Sequence, residues 1–239
     1  MDIGIKKEQL LGIATQQFGH LYNRFGEGIY SSHETLKKGD VYLLGLNPGG
    51  SGECKLGNFM ADTLVRTSNA FLDEEWEKPK KKSTSKQGNN KYAKGSAPLQ
   101  KRIQGLLEGL DQSVADVCAS NLIFTTSKSS SHEDYNFGFA GTFWPFHQAV
   151  IEIVRPKVII TFGNGKLHSP FGFLKSMYCD ESNLNTFETI PAEHGERQCY
   201  GFKADINGRS TAIIGLPHLS YYSPNKEPIL KWMKEFSGI

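Results

Sequence analysis

Cysteine is scarce in this chain, and long apolar segments are absent from its sequence. The four cysteines, Cys54, Cys118, Cys179 and Cys199, are far apart and form no C-x-x-C pair. This spacing favours reduced, mostly buried thiols over a zinc ribbon or a dense disulfide framework. No segment approaches the roughly 18 consecutive apolar residues of a membrane span, and the N-terminus has no apolar h-region. We therefore expect a soluble, cytoplasmic protein that has no membrane partner.

The chain also lacks a strong excess of either charge. Its 27 basic and 25 acidic side chains give a formal net charge of +2, which neither requires nor excludes a nucleic-acid partner. We expect a single domain over residues 1–239, because 38% hydrophobic residues can build one sizeable core. A segment at about 77–98 is rich in Lys, Ser, Gly and Asn, which predicts a surface insertion. A solvated, disordered loop and a basic flap that touches phosphates are both consistent with it.

Apolar runs alternate with segments of helical periodicity along the chain. DVYLLGL, VCASNLIFTTS, KVIITF and STAIIGL are runs typical of buried strands. The dipeptide Asn207-Gly208 predicts a hairpin turn before the last run. Amphipathic helices are predicted at 6–25, at 98–112, at 142–154 with a stop at Arg155-Pro156, and near the C-terminus. The alternation predicts an α/β fold with a largely parallel central sheet.

The loops after the predicted strands are the candidate functional segments, because ligands bind beyond the carboxyl ends of parallel strands. The first loop, in VYLLGLNPGGSG, contains four glycines. A P-loop would have Lys and Ser or Thr where Ser51 and Gly52 stand, and a dinucleotide loop would have its third glycine at Lys55. A nucleotide-dependent enzyme is therefore a weak alternative. The remaining polar group is the amide of Asn47, which could position a water or only brace a turn.

Polar and aromatic side chains also follow the other predicted strands. Asn121 could read the edge of an amide-like heterocycle such as uracil, or fill a structural role. The imidazole of His218 could donate a hydrogen bond to a developing oxyanion or stabilise a departing anionic base, or be an ordinary loop histidine. Tyr221 and Tyr222 could stack on bases or wedge into a duplex, or pack beneath the terminal helix.

Four motifs, in order, resemble those of the uracil-DNA glycosylase superfamily. GLNPGG resembles its first active-site motif in the G-x-N-P-G form of the mismatch-specific and single-strand-selective monofunctional branches. SNLIFTTS resembles the base-reading strand, and IVRPKVIITFGNG resembles the family's helix, turn, strand and glycine. GLPHLSYYSPN resembles the second motif, whose usual form is H-P-S followed by an intercalating loop.

The resemblance implies a three-layer α/β/α fold and a monofunctional DNA glycosylase that acts in base excision repair. Such an enzyme flips uracil or a related damaged base out of single- or double-stranded DNA and hydrolyses its N-glycosidic bond by water attack. We expect it to act as a monomer, with no metal and no other cofactor.

The resemblance also implies roles for the residues at matching positions. Asn47 would position the hydrolytic water, and His218 would stabilise negative charge at O2 of the departing base. Asn121 would contact the uracil edge, and Phe59 would stack on the base. The pocket wall would be formed by Gly45, Leu46, Pro48 and Gly49. Contacts with DNA would come from Ser220, Tyr221, Tyr222 and Lys226, with Lys80, Lys81 and Lys82 as further candidates for phosphates.

Three features depart from the family's pattern. The second motif reads H-L-S, so the rigidity of the usual proline is lost beside His218. Asn47 stands where other branches have an aspartate, which implies weaker water activation and a slower enzyme. The cysteines do not match the ligand pattern of the iron–sulfur branches, so no cluster is expected. The alternative is a catalytically weak or inactive superfamily member that binds nucleic acid or a protein partner.

Overall fold

A six-stranded sheet forms the centre of the chain in a computed structural model that describes residues 6–50, 52–78, 91–128, 135–192, 197–224 and 226–239. The strands are β1 (Val41–Gly45), β2 (Cys118–Asn121), β3 (Val158–Phe162), β4 (Glu188–Pro191), β5 (Gln198–Ile206) and β6 (Arg209–Leu216). The helices are α1 (Leu10–Phe18), α2 (Leu56–Asp62), α3 (Pro98–Gly109), α4 (Phe139–Val154), α5 (Pro170–Tyr178) and α6 (Glu227–Ser237). The strand order is β2-β1-β3-β6-β5-β4.

Four of the strands, β2, β1, β3 and β6, run parallel, whereas β5 and β4 pair antiparallel at one side. At the ends of the parallel strands, Gly45 is in register with Asn121, and Phe162 with Leu216. The prediction of an α/β fold with a largely parallel sheet is therefore confirmed. It also follows that the loops after these strands emerge at one edge of the sheet.

Alternate side chains of β1 enter two separate hydrophobic clusters. Tyr42 and Leu44 of β1 belong to one cluster, and Val41 and Leu43 to the other. The first cluster includes buried residues of α1, α2, α4 and α5, and the second includes those of α3 and α6. Because helices cover both faces of the sheet, the arrangement is compatible with a three-layer α/β/α fold.

Two local predictions are confirmed by the backbone. Asn207 and Gly208 both have positive φ, 55° and 75°, as a two-residue turn between β5 and β6 requires. Helix α4 ends at the predicted place, where Arg155 adopts a left-handed φ of 54° directly before Pro156. The predicted opening helix is shorter than expected, since α1 is flanked by 3₁₀ turns at 7–9 and 19–23.

The predicted surface insertion at about 77–98 is described only at its two ends. There, the backbone N–H of Tyr92 donates to the carbonyl of Trp76, and that of Gly95 to the carbonyl of Glu74, at 2.9 and 3.2 Å. The candidate phosphate ligands Lys80, Lys81 and Lys82 lie outside the described residues. Among the residues that are described, no helix is both long and apolar enough to cross a membrane.

Candidate functional site

The loop after β1 and the segment after β2 form one hydrogen-bonded unit. The N–H of Leu122 donates to the carbonyl of Gly45 at 2.8 Å, and that of Ile123 to the carbonyl of Leu46 at 2.9 Å. Further along, the N–H of Ser127 donates to the carbonyl of Pro48 at 3.2 Å. The loop that carries GLNPGG is therefore fixed against the segment that follows Asn121.

The side chain of Asn47 is oriented by two hydrogen bonds. Its Nδ2 donates to the carbonyl of Pro48 at 2.9 Å and to Oγ of Ser127 at 2.8 Å. A carbonyl accepts only, so the amide nitrogen must face Pro48, and both of its hydrogens are used. Within the described part of the chain, Oδ1 of Asn47 has no hydrogen-bond partner. This half-buried oxygen is thus available to accept a hydrogen bond from a water molecule.

Asn121 lies across Gly45 at the carboxyl ends of β2 and β1. A Cβ added at Gly45 would lie 2.2 Å from Oδ1 of Asn121 and 2.8 Å from Cζ of Phe162. Only glycine therefore allows this approach. The Asn121 side chain is 8% exposed and makes no hydrogen bond to any other described residue. The amide is therefore available to a ligand that enters at the end of β2.

His218 follows β6, and its ring has a defined tautomer. The backbone N–H of Ser220 donates to Nδ1 of His218 at 3.1 Å, so the proton of the neutral ring resides on Nε2. The side chain is exposed, but surrounding protein atoms partly desolvate the ring and lower the pKa of His218 below its usual 6.5. The ring stands edge-on to Phe162, with 6.1 Å between ring centroids. At neutral pH His218 therefore presents an N–H donor next to Phe162, whose ring also lies against Gly45.

Phe59 lies on α2, and its side chain is 8% exposed. The guanidinium of Arg66 lies over the ring, 5.0 Å from its centroid, and forms an ion pair with Glu74. One side of the Phe59 ring is therefore covered by a cation. That Phe59 stacks on a base stays a prediction.

The residues predicted to contact DNA separate into exposed and buried ones. Tyr221 is 76% exposed, and its ring centroid lies 6.1 Å from that of His218. Lys226 is exposed directly before α6, and Ser220 is partly exposed. The prediction that Tyr222 occupies a wedge loop is wrong, because it is 1% exposed and packs in the cluster of α3 and α6. Its hydroxyl lies 3.7 Å from Sγ of Cys199.

A cavity of about 490 Å³ lies elsewhere, between the end of α3 and the segment before β2. Its lining includes Gln104, Glu108 and Asp111. Since that segment enters β2 at its amino end, the cavity lies away from the loops at the carboxyl ends. None of the predicted site residues lines it.

Known proteins do not assign the chain to a family. No protein-family model matches it, and no curated protein shows significant similarity to it. The similarity to the uracil-DNA glycosylase superfamily thus rests on the sequence motifs alone. The four cysteines are free thiols, and among the described residues no three His, Cys, Asp or Glu side chains are grouped as metal ligands.

Two residues that hold the site were not predicted from the sequence. Ser127 orients the amide of Asn47, and Arg102 of α3 donates to the carbonyls of Leu219 and Ser220 beside His218. Ser127 could have been found as the last polar residue of the run that begins at Asn121. Arg102 gives no such signal, because it is one of several polar residues on an amphipathic helix.

A buried histidine of α4 forms a hydrogen bond with the segment after β2. Nε2 of His147 on α4 donates to the carbonyl of Leu122 at 3.2 Å, and Nδ1 accepts from the hydroxyl of Tyr42 at 2.8 Å. A carbonyl oxygen can only accept, so Nε2 must carry the proton and Nδ1 must be the acceptor. Complete burial lowers the pKa of His147 from 6.5 to about 4. The neutral ring thus fixes Leu122, the residue next to Asn121.

Acid should weaken the fold through His147. The unfolded histidine binds its proton near pH 6.5 and the folded one only near pH 4, so the stabilisation is complete above about pH 6.5 and is lost as the pH falls towards 4. From pH 8 to pH 5 we expect this group to lower the free energy of unfolding by about 2 kcal/mol. Urea unfolding at both pH values should show a smaller loss in His147→Gln. His20→Gln, at an exposed position, is the control and should lose as much free energy of unfolding as the wild type. Equal losses in the two variants would contradict the assignment of this effect to His147.

Proposed function

We propose that this protein is a monofunctional DNA glycosylase that hydrolyses the N-glycosidic bond of uracil or a related damaged base and leaves an abasic site. The observation that carries it is the position of three polar groups at the carboxyl ends of the parallel strands β1, β2 and β6. They are Oδ1 of Asn47, the amide of Asn121 and Nε2–H of His218. Asn121 and Phe162 both lie against Gly45, and the ring centroid of His218 lies 6.1 Å from that of Phe162.

Each group fits one requirement of base release. The edge of a flipped uracil offers both a donor and an acceptor, and the amide of Asn121 can pair with both. As the bond between C1′ and N1 breaks, its electron pair goes to the base, and Nε2–H of His218 donates to the negative charge at O2. Because the ring is already neutral, it stabilises this anion as a hydrogen-bond donor and needs no proton loss beforehand.

Asn47 suits a reaction in which the leaving group departs before attack. Its amide is no base, but Oδ1 can accept one hydrogen bond and hold a water beside C1′. The water oxygen bonds to the cationic sugar carbon, and only then does its proton pass to solvent. The two hydrogen bonds from Nδ2 fix the amide in this orientation before DNA binds.

The exposed Tyr221 is suited to fill the gap that a flipped nucleotide leaves in a duplex. Tyr221→Ala should therefore lower the rate on double-stranded DNA by about tenfold, since unstacking costs a few kcal/mol. On single-stranded DNA, where no stack is broken, the loss should be much smaller. Single-turnover rates on matched oligonucleotides measure both. Tyr221→Phe keeps the ring and should behave as wild type, and equal losses on both substrates in Tyr221→Ala would exclude a wedge.

The proposal is tested with single- and double-stranded oligonucleotides that contain uracil, hypoxanthine, xanthine or hydroxymethyluracil. After incubation, alkali cleaves the strand at abasic sites, and the products are separated by length. We expect cleavage of at least one substrate. If no lesion is released at high enzyme excess, the glycosylase proposal fails, and binding measured on the same oligonucleotides then tests the alternative of an inactive nucleic-acid-binding protein.

A further inference from the structure

The loop of His218 is held by an arginine from a distant part of the chain. Nη1 of Arg102, on α3, donates to the carbonyl of Leu219 at 2.7 Å and also to the carbonyl of Ser220. The two contacts span 117 and 118 residues of sequence. A guanidinium that bonds two successive carbonyls restrains both peptide planes more strongly than a single contact would.

One of these peptide groups is also the group that orients His218. The carbonyl of Leu219 and the N–H of Ser220 belong to the same planar unit and point in opposite directions. Arg102 holds the carbonyl end, and Nδ1 of His218 accepts from the N–H end at 3.1 Å. The hydrogen bonds therefore run in series from the guanidinium through one peptide to the imidazole, and each bond polarises the next.

Other contacts fix the same turn. The side chain of Leu219 is completely buried in the cluster of α3 and α6, and the N–H of Tyr221 donates to the carbonyl of His218 at 3.0 Å. Leu219 stands where the resembling motif has its rigid proline. In this chain a buried side chain and a cation thus restrain the segment that a pyrrolidine ring would otherwise restrain.

We propose that Arg102 is a positioning residue for His218, which replaces the rigidity of the missing proline and keeps the proton of the imidazole on Nε2. The effect of Arg102 on base release rests on the proposed glycosylase function. The effect of Arg102 on the tautomer of His218 is independent of that function. The positioning role of Arg102 and the glycosylase function can therefore be tested separately.

The test compares Arg102→Met, which keeps an unbranched apolar stem, with Arg102→Lys, which keeps the charge on a single donor nitrogen but loses the planar guanidinium. Lys101→Met is the matched control, since it removes one positive charge from the same turn of α3 at an exposed position. ¹⁵N spectra of the imidazole report the tautomer. We expect a pure Nε2–H signature in wild type and Lys101→Met, a mixture of tautomers in Arg102→Met, and an intermediate spectrum in Arg102→Lys.

On a lesion that the wild type releases, Arg102→Met should lower kcat by about 10- to 100-fold with little change in KM, as a displaced catalytic group does. If the wild type releases no base, the ¹⁵N spectra alone decide the role of Arg102. If Arg102→Met does not fold, the intermediate spectrum and rate of Arg102→Lys decide it. Wild-type spectra and wild-type kcat in the folded Arg102 variants would overturn the proposal.

Discussion

Asn47→Ala should lower the single-turnover rate of uracil release by about 10²- to 10³-fold, as the loss of one well-placed polar group typically does. The variant removes Oδ1, the proposed acceptor for the attacking water, and leaves Asn121 and His218 in place. Binding of DNA should change little, because the residues proposed to contact the phosphates and the base remain. The rate at saturating enzyme and the dissociation constant, measured on one oligonucleotide, separate the two effects.

The matched control is Asn185→Ala, which removes the same amide at an exposed position in the turn before β4. It should behave as wild type. Ser127→Ala should show a smaller loss than Asn47→Ala, because the hydrogen bond from Nδ2 of Asn47 to Pro48 remains. If release survives in the double variant Asn47→Ala with His218→Ala, our site assignment is wrong even though the activity stands.

Gly45→Ala should damage both stability and base recognition. The new methyl group would lie 2.2 Å from Oδ1 of Asn121 and 2.8 Å from Cζ of Phe162, so both side chains must move. Overpacking of this kind costs about 1–3 kcal/mol of the free energy of unfolding. Displacement of Asn121 should also weaken uracil recognition. Urea unfolding gives the first effect, and release rates at conditions where the variant is folded give the second.

Gly12→Ala is the control for this substitution, because a Cβ at Gly12 of α1 meets no atom within 4 Å. At this exposed helical position alanine should raise the free energy of unfolding by about 0.5–1 kcal/mol. The same substitution should therefore lower the free energy of unfolding at Gly45 and raise it at Gly12. A Gly45→Ala variant as stable and active as wild type would show that the side chains of Asn121 and Phe162 do not pack against the backbone of Gly45.

Strands β1, β3 and β6 were predictable because each contains a short apolar run that is buried in the sheet. Strand β4 was not predictable, because the side chains of Glu188–Pro191 are mostly exposed and the segment is an edge strand that pairs with β5 alone. The run after Asn121 was also misjudged, because its apolar residues are buried without continuing β2. Their backbone groups instead bond to Gly45 and Leu46. Burial can be inferred from hydrophobicity, but the choice of backbone partner cannot.

The candidate site shows the same limit. The sequence indicated Asn47, Asn121 and His218, because polar residues after buried strands must meet at one edge. It could not distinguish Tyr221 from Tyr222, since neighbouring residues in a turn point to opposite sides. It also could not reveal Ser127 or Arg102 as partners, because 80 and 117 residues separate these side chains from the groups that they hold.

The strand order has a consequence for when the candidate site is completed during folding. Strand β6 lies between β3 and β5, although it is the last strand of the chain, and His218 follows it. A nascent chain that ends before residue 209 has the loops of Asn47 and Asn121 but leaves one side of β3 without its partner. Long-range strand pairs of this kind form slowly. The candidate site is therefore completed only when β6 pairs with β3, which we expect to be a late event in folding.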